Sequence, residues 1–167
     1  CWFLPFAFGV AHAQEMTAKI QGFLISAGSG VYDTEKETVE INDGVQLVYK
    51  DQTISCKSAR INLRSKKIEA AGQVQIVTAT TTVGGDHVIL AYENNTGVIY
   101  TGFVQSGNVI FEGQILQKVS ASEYYVVDAD YTACTNCPAT WKFSGTSIRA
   151  ELGGYAYIKN SLIRSGP

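Results

Sequence analysis

The chain has 167 residues, 46% of them apolar, which is enough for one domain with a hydrophobic core or for one elongated repeat array. Its 13 lysines and arginines are balanced by 15 aspartates and glutamates, so the chain lacks the basic field that nucleic-acid binding requires. Charged residues amount to only 17%, below the roughly 25% of an ordinary soluble domain, and this composition favours antiparallel β-structure.

The first residues predict the end of a secretory signal sequence. An apolar run is followed by Ala11-His12-Ala13, which has the small-x-small form of a signal-peptidase site, with cleavage expected before Gln14. The run is too short to span a bilayer, and neither Met nor a basic segment precedes Cys1. Residues 1–13 are therefore interpreted as a signal-peptide remnant. An apolar N-terminal strand is the alternative.

Residues 14–30 are predicted to lead into the domain. The stretch 17–24 is the one candidate for a helix after the signal, but it is short and runs into Ser26-Ala27-Gly28-Ser29-Gly30. We interpret it as a strand followed by a flexible connection. Because no helix is predicted to begin after these glycines, they are not expected to form a nucleotide-binding loop.

From residue 38 to residue 127 the dominant pattern is alternation of apolar and polar residues, which predicts strands. The alternating runs are Val39-x-Ile41, Val45-x-Leu47-x-Tyr49, Ile54-x-Cys56, Ala59-x-Ile61-x-Leu63, Val74-x-Ile76, Val88-x-Leu90-x-Tyr92 and Val109-x-Phe111. Turn formers separate these runs. They are Asn42-Asp43-Gly44, Lys50-Asp51-Gln52, Arg64-Ser65-Lys66-Lys67, Ala71-Gly72, Gly84-Gly85-Asp86, Asn94-Asn95-Thr96-Gly97 and Ser106-Gly107-Asn108.

The strands also recur as a group. A unit that opens with Gly-x-Val begins at Gly44 and again at Gly72, 28 residues later, and a looser third copy begins at Gly107. Repeats of this length indicate an array in which each unit buries its apolar face against its neighbours. A closed globular sandwich is the alternative.

The stretch after the repeats carries the most specific motif. Ala129-Asp130-Tyr131-Thr132-Ala133-Cys134 ends an alternating strand, and a turn that contains proline follows. Trp141-Lys142-Phe143 then opens a new strand that continues through Ser147-Ile148.

With these motifs, residues 31–163 resemble the OstA-like domain family of bacterial lipopolysaccharide-transport proteins. The Gly-x-Val starts at Gly72 and Gly107 and the Tyr92…Thr96-Gly97 hairpin resemble the family as a whole, including its soluble periplasmic bridge protein. The Tyr-Thr-x-Cys…Trp segment is similar to the passage that leads from this domain into an outer-membrane barrel, and the bridge protein lacks it.

The resemblance implies an all-β fold, an open antiparallel β-jellyroll built from repeated short strands over residues 31–134. Residues 135–167 would then form its end and the start of a link to an outer-membrane barrel. It further implies lipopolysaccharide transport at the periplasmic face of the outer membrane. The implied partners are lipopolysaccharide, the periplasmic bridge protein and the lipoprotein plug of the barrel. No cofactor is implied.

Such a jellyroll would shield lipid acyl chains from water, and each buried methylene contributes about 0.8 kcal/mol. Candidate lining residues share one parity within each run, which places them on one face of the sheet. They are Val45, Leu47, Ile61, Leu63, Val74, Ile76, Val88, Leu90, Val109 and Phe111. The alternative is that they form a dry core.

The cysteines left after signal cleavage are Cys56, Cys134 and Cys137. The pair Cys134-x-x-Cys137 is compatible with a local disulfide, a redox pair or part of a zinc site, although thioredoxin-type pairs begin a helix and zinc needs two further ligands. The family resemblance implies that Cys134 forms a disulfide with a cysteine beyond Pro167, with Cys137 as a possible substitute. Cys56 alternates with apolar residues and is predicted to be buried.

No catalytic role is predicted. The sequence contains no Gly-x-Ser-x-Gly motif, no phosphate-binding loop and no histidine near a candidate nucleophile. Two functional alternatives to a barrel-linked lipid conduit stay open: a soluble bridge protein of the same pathway, and a structural or adhesive β-repeat that stacks as a solid rod.

Overall fold

The structure, a computed structural model, describes residues 15–133 and 141–165 and confirms the all-β prediction. Thirteen strands form a single sheet. They are β1 (Met16–Ile20), β2 (Phe23–Ala27), β3 (Ser29–Asp33), β4 (Thr38–Tyr49), β5 (Gln52–Asn62), β6 (Lys67–Val77), β7 (Thr81–Ala91), β8 (Thr96–Ser106), β9 (Val109–Lys118), β10 (Glu123–Thr132), β11 (Trp141–Glu151), β12 (Ala156–Lys159) and β13 (Leu162–Ser165). Within the described ranges, no helix has the length and apolar character needed to cross a membrane.

The sheet is an antiparallel meander in which nearly every strand pairs with its neighbours in sequence. Its order runs β1-β2-β4 and then through β5 to β12 without a crossover. At one end β2 and β3 share the two halves of β4, and at the other end β12 and β13 share the two halves of β11. The two ends do not pair with each other, so the sheet is open, as the jellyroll prediction requires.

The strands from β4 to β11 are 10 to 12 residues long and bend near their middle. Register shifts between Asn42 and Val45, and again between Ala71 and Val74, mark β-bulges that turn each strand over. Asp43 and Gly44 have φ values of 67° and 76°, a region that suits glycine and short polar residues. The sheet therefore folds over itself along a line that crosses every long strand.

Glycines of neighbouring strands meet on this fold line. Gly102 lies directly opposite Gly85 on one side and Gly113 on the other. A Cβ added at Gly102 would collide with the carbonyl oxygen of Gly84 and would lie 2.7 Å from Cγ2 of Ile99. The strands approach so closely at the bend that only a residue without a side chain fits there.

Three of the predicted turns are not turns. Asn42-Asp43-Gly44 and Ala71-Gly72 form bulges inside β4 and β6, and Gly84-Gly85-Asp86 lies inside β7. The physical reason is that glycine and aspartate serve a bulge as well as they serve a hairpin turn. The other predicted turns do join consecutive strands. Several of the predicted short strands are thus halves of longer, bent ones.

The third repeat copy also begins elsewhere. Gly107 lies in the turn between β8 and β9, whereas the bulge glycines Gly44 and Gly72 lie inside strands. The corresponding bend residue in β8 is Thr101, with a φ of 47°, and in β10 it is Asp128, with a φ of 49°. The repeat of about 28 residues is therefore the length of one pair of bent strands with their turns.

The segment predicted as a flexible connection is part of the sheet. Ser26 pairs with Gln46, and Gly30 lies opposite Ile41. A Cβ at Gly30 would lie 2.9 Å from Cγ2 of Ile41, so this glycine serves close strand packing and not flexibility. The prediction of a linker at residues 26–30 is wrong for that reason. Strand β3 spans residue 31, and β11 to β13 belong to the same sheet as the strands before them.

The folded sheet encloses one hydrophobic core. Inward residues from both halves of the strands join a single cluster, in which Phe23, Leu47, Ile61, Leu116 and Ile148 are fully buried. Among the described residues, none that is polar or charged is buried. The outer face carries the charges: Glu40 pairs with Arg60 on the neighbouring strand at 2.9 Å. Such exposed pairs contribute little to stability, so the core holds the fold together.

Candidate functional site

The two rows of turns meet along one side of the folded sheet. We call this line of contact the seam, and define it by the turn residues Lys50-Asp51 and 78–80 on one side and by 92–95 and 119–122 on the other. Nε2 of Gln52 donates a hydrogen bond of 3.1 Å to Oδ1 of Asn95 across it, between residues 43 positions apart. This hydrogen bond therefore joins the two rows of turns across the seam.

An aromatic cluster closes the seam at its N-terminal end. Phe23 stacks on Tyr49 with ring centroids 4.4 Å apart, and Tyr92 from the opposite row meets the edge of Phe23 at 4.9 Å. The rings of Tyr49 and Tyr92 are themselves 5.3 Å apart. Each such pair contributes about 0.5–1.5 kcal/mol beyond the area it buries. The cluster therefore holds the two rows of turns together at this end.

A polar group lies next along the seam. Nζ of Lys118 donates a hydrogen bond of 2.9 Å to Oδ1 of Asn95, which thus accepts from both Lys118 and Gln52. The same ammonium group lies 5.9 Å from the ring centroid of Tyr124, within cation–π range. Burial lowers the pKa of Lys118, while the carboxylate of Asp51 acts in the opposite direction. Lys118 is the half-buried cation of the seam.

A cavity of about 160 Å³ opens behind this polar group. Its inner wall is apolar and consists of Ile76, Val83, Val88, Leu90 and Ile99. Its mouth is polar, with Thr78, Thr81 and Lys118 among the residues that surround it. The cavity is therefore amphipathic: apolar toward the core and hydrogen-bonding toward solvent.

The structure buries nine of the ten candidate lining residues and leaves Val109 half-buried against the core. Three of the ten line the seam cavity, namely Ile76, Val88 and Leu90. The other seven pack in the core cluster or against it, away from the cavity. Their contact with a lipid stays a prediction.

Sequence reasoning missed part of the interior and all of the polar seam. Ile99, Val104, Leu116, Tyr124 and Val126 are buried, although none was a candidate. The alternation of Tyr124 with Val126 was a signal for the last two. No local pattern identifies the contact of Gln52 with Asn95, because each residue only reads as a turn former.

The Tyr-Thr…Trp motif supplies a second aromatic cluster at the other end of the interior. The ring of Tyr131 lies 5.2 Å from that of Phe111 and 6.2 Å from those of Trp141 and Phe143. Outside this cluster, Nζ of Lys142 and Oδ2 of Asp130 form an ion pair at 2.7 Å. The motif residues therefore cover the C-terminal end of the core.

The cysteine predictions concern one residue that the structure describes and two that it does not. Cys56 is buried as expected, and burial raises the pKa of its thiol to about 11, so that it stays protonated at neutral pH. Cys134 and Cys137 lie outside the described residues, and the disulfide stays a prediction. Within residues 15–133 and 141–165, no group of three or more His, Cys, Asp or Glu side chains could hold a metal ion.

The sequence was compared with protein-family models and with curated proteins. A scan against protein-family models gives no match for the chain. A search of curated proteins gives no significant match either. The function proposed below therefore rests on the geometry of the seam and on the resemblance of the sequence motifs.

Proposed function

We propose that this chain shields the acyl chains of lipopolysaccharide inside its folded sheet and passes them toward an outer-membrane barrel. In this proposal it is the periplasmic part of a lipopolysaccharide-assembly protein similar to LptD, located at the periplasmic face of the outer membrane. The observation that carries the proposal is the amphipathic cavity at the seam, whose inner wall belongs to a core without buried polar residues among those described.

Exposure of acyl chains to water is unfavourable in free energy. Each methylene group moved from water into an apolar interior contributes about 0.8 kcal/mol, so even a short stretch of chain gains several kcal/mol. The inner wall at Val83, Leu90 and Ile99 offers this environment without a charge or a hydrogen-bonding group. The cavity at the seam opens to solvent at its polar mouth, so a ligand can enter it without unfolding of the sheet.

The proposed partners follow from the free ends of the sheet. At the N-terminal end, β3 exposes Val31 and Tyr32, and within the described ranges β1 and β3 each leave one edge unpaired. Such edges favour the addition of a strand from another protein, and the periplasmic bridge protein is the proposed occupant. At the C-terminal end, the chain would lead to the barrel and its lipoprotein plug, with Cys134 or Cys137 supplying the proposed disulfide.

A photo-crosslinking amino acid at Val83 tests the proposal. Val83 lies on the cavity wall, whereas the next residue, Thr82, points to the other face of β7 and does not line the cavity. We expect a lipopolysaccharide adduct from the Val83 position in cells and none from Thr82, which serves as the matched control. Equal capture at both positions, or capture from Thr82 alone, would contradict an interior path.

A structural β-repeat is the second candidate, and the dense packing away from the seam favours it. The side chains of core residues such as Leu47, Ile61 and Val126 have no solvent-exposed surface. A solid rod requires such filling along its whole length, whereas a conduit requires an interior that admits a chain. Absence of any lipid adduct from Val83, with the protein folded and exported, would favour the rod.

A further inference from the structure

The ammonium group of Lys118, at the mouth of the cavity, is held in place and uses only part of its hydrogen-bonding capacity. Lys118 carries three N–H donors, and within the described part of the chain its hydrogen-bond acceptor is Oδ1 of Asn95. Gln52 fixes the carboxamide of Asn95 from the opposite row of turns. The ammonium group is thus positioned at the mouth with donor capacity left for a ligand.

The opposite lip of the mouth is formed by the turn between β6 and β7. The hydroxyl of Thr78 is occupied, because it donates to the carbonyl oxygen of Thr81 and accepts from its amide. Oγ1 of Thr81 lies 3.5 Å from that of Thr80, a long contact. The hydroxyls of Thr80 and Thr81, which line the same cavity as Lys118, therefore retain hydrogen-bonding capacity for a polar head group.

The size of the cavity limits what its apolar part can hold. At about 160 Å³ it is close to the roughly 150 Å³ of an engineered apolar cavity that binds benzene. It therefore admits part of one acyl chain and excludes several chains side by side. A neutral, wholly apolar ligand would cover the remaining N–H donors of Lys118 without offering them an acceptor, which is unfavourable.

We propose that the seam cavity binds one acyl chain of an anionic amphiphile, with the phosphate or carboxylate of its head group at Nζ of Lys118. The acyl chain lies against Val83, Leu90 and Ile99, and the threonine hydroxyls of the opposite lip contact the head group. This inference rests on the proposed function, in that a phosphorylated, acylated lipid would be the physiological ligand. The cavity therefore favours ligands that combine an anionic head group, bound at its mouth, with an apolar chain, bound behind it.

Asp51 and Lys118 carry opposite charges, so substituting each of them should change the affinity for an anionic ligand in opposite directions. The carboxylate of Asp51 lines the mouth close enough to act on Lys118, and it repels an anionic head group. Removing the positive charge should therefore weaken the binding of an anionic amphiphile, and removing the negative charge should strengthen it. A ligand held only by its apolar chain would respond to neither change.

Isothermal titration of the full chain with dodecyl phosphate, dodecyl maltoside and inorganic phosphate measures these effects. We expect Lys118→Met to weaken dodecyl phosphate binding about tenfold, and Asp51→Asn to strengthen it about threefold. Lys118→Arg should retain binding, which separates loss of charge from loss of fold. Dodecyl maltoside, with the same chain and a neutral head, should bind all variants within about twofold of each other.

Two results would overturn the proposal. Unchanged dodecyl phosphate binding in Lys118→Met would remove Lys118 from the site. Inorganic phosphate binding as tightly as dodecyl phosphate would leave an anion site without an acyl chain. Failure of the proposed function is distinguishable: absence of lipopolysaccharide adducts at Val83, with charge-selective dodecyl phosphate binding intact, would refute lipopolysaccharide transport and keep the site. Adducts at Val83 with no effect of Lys118→Met would do the reverse.

Discussion

Replacing Phe23 by alanine should lower the free energy of unfolding of the full chain by about 4 kcal/mol. Phe23 is fully buried and packs against Tyr49 and Tyr92, which belong to opposite rows of turns. The substitution removes a large buried side chain, leaves a cavity and breaks the aromatic contacts that hold this end of the seam. Chemical denaturation followed by far-UV circular dichroism measures the change.

Tyr155→Ala is the matched control for Phe23→Ala. Tyr155 is also an aromatic residue paired with another ring, that of Tyr157 at 5.9 Å, but its side chain is 68% exposed. Its removal should change the unfolding free energy by less than about 0.5 kcal/mol. If both variants lose the same small amount, β2 does not pack onto the seam and the N-terminal end of the fold is wrong.

Gly102→Ala should destabilise the chain by about 3 kcal/mol, at the upper end of the range for overpacking. The added methyl group would collide with the carbonyl oxygen of Gly84 and press on the side chain of Ile99. A backbone oxygen has no rotamer by which to move aside, so the two strands would have to separate at the bend. Denaturation midpoints of the variant and the parent chain measure the effect.

Gly154→Ala is the control that separates the effect of crowding at the bend from the effect of replacing a glycine in general. A Cβ at Gly154 meets only the side chain of Glu151, at 3.3 Å, and that side chain is flexible and exposed. We expect a change of less than about 0.5 kcal/mol for this variant. A tolerated alanine at Gly102 would mean that β7 and β8 are farther apart at the bend than the structure places them.

The strands and their inward faces could be predicted from the sequence, because burial on one face forces a period of two. Val45, Leu47, Val74 and Ile76 are buried for this reason. The bends could not be predicted, since Asn42-Asp43-Gly44 suits a hairpin turn and a bulge equally well. The deciding factor is the pairing of β4 with β5, which lies outside the local pattern.

The bends also explain the missed core residues. At Thr101 the alternation of inward and outward residues in β8 changes phase. Ile99 and Val104 therefore both face the core, although they lie five positions apart. A constant alternation along the whole strand therefore assigns the residues after the bend to the wrong face of the sheet. The polar seam is harder still, because Gln52 and Asn95 meet only after the sheet has folded over.

Methyl NMR of the full chain titrated with lipopolysaccharide tests the central claim, that acyl chains enter the interior through the seam. The methyl groups of Ile76, Val83 and Leu90 line the cavity, and those of Val31 and Leu162 point to solvent. We expect the cavity methyl resonances to shift and the outward ones to stay unchanged. Shifts confined to Val31 and Leu162, with the cavity resonances unmoved, would contradict it.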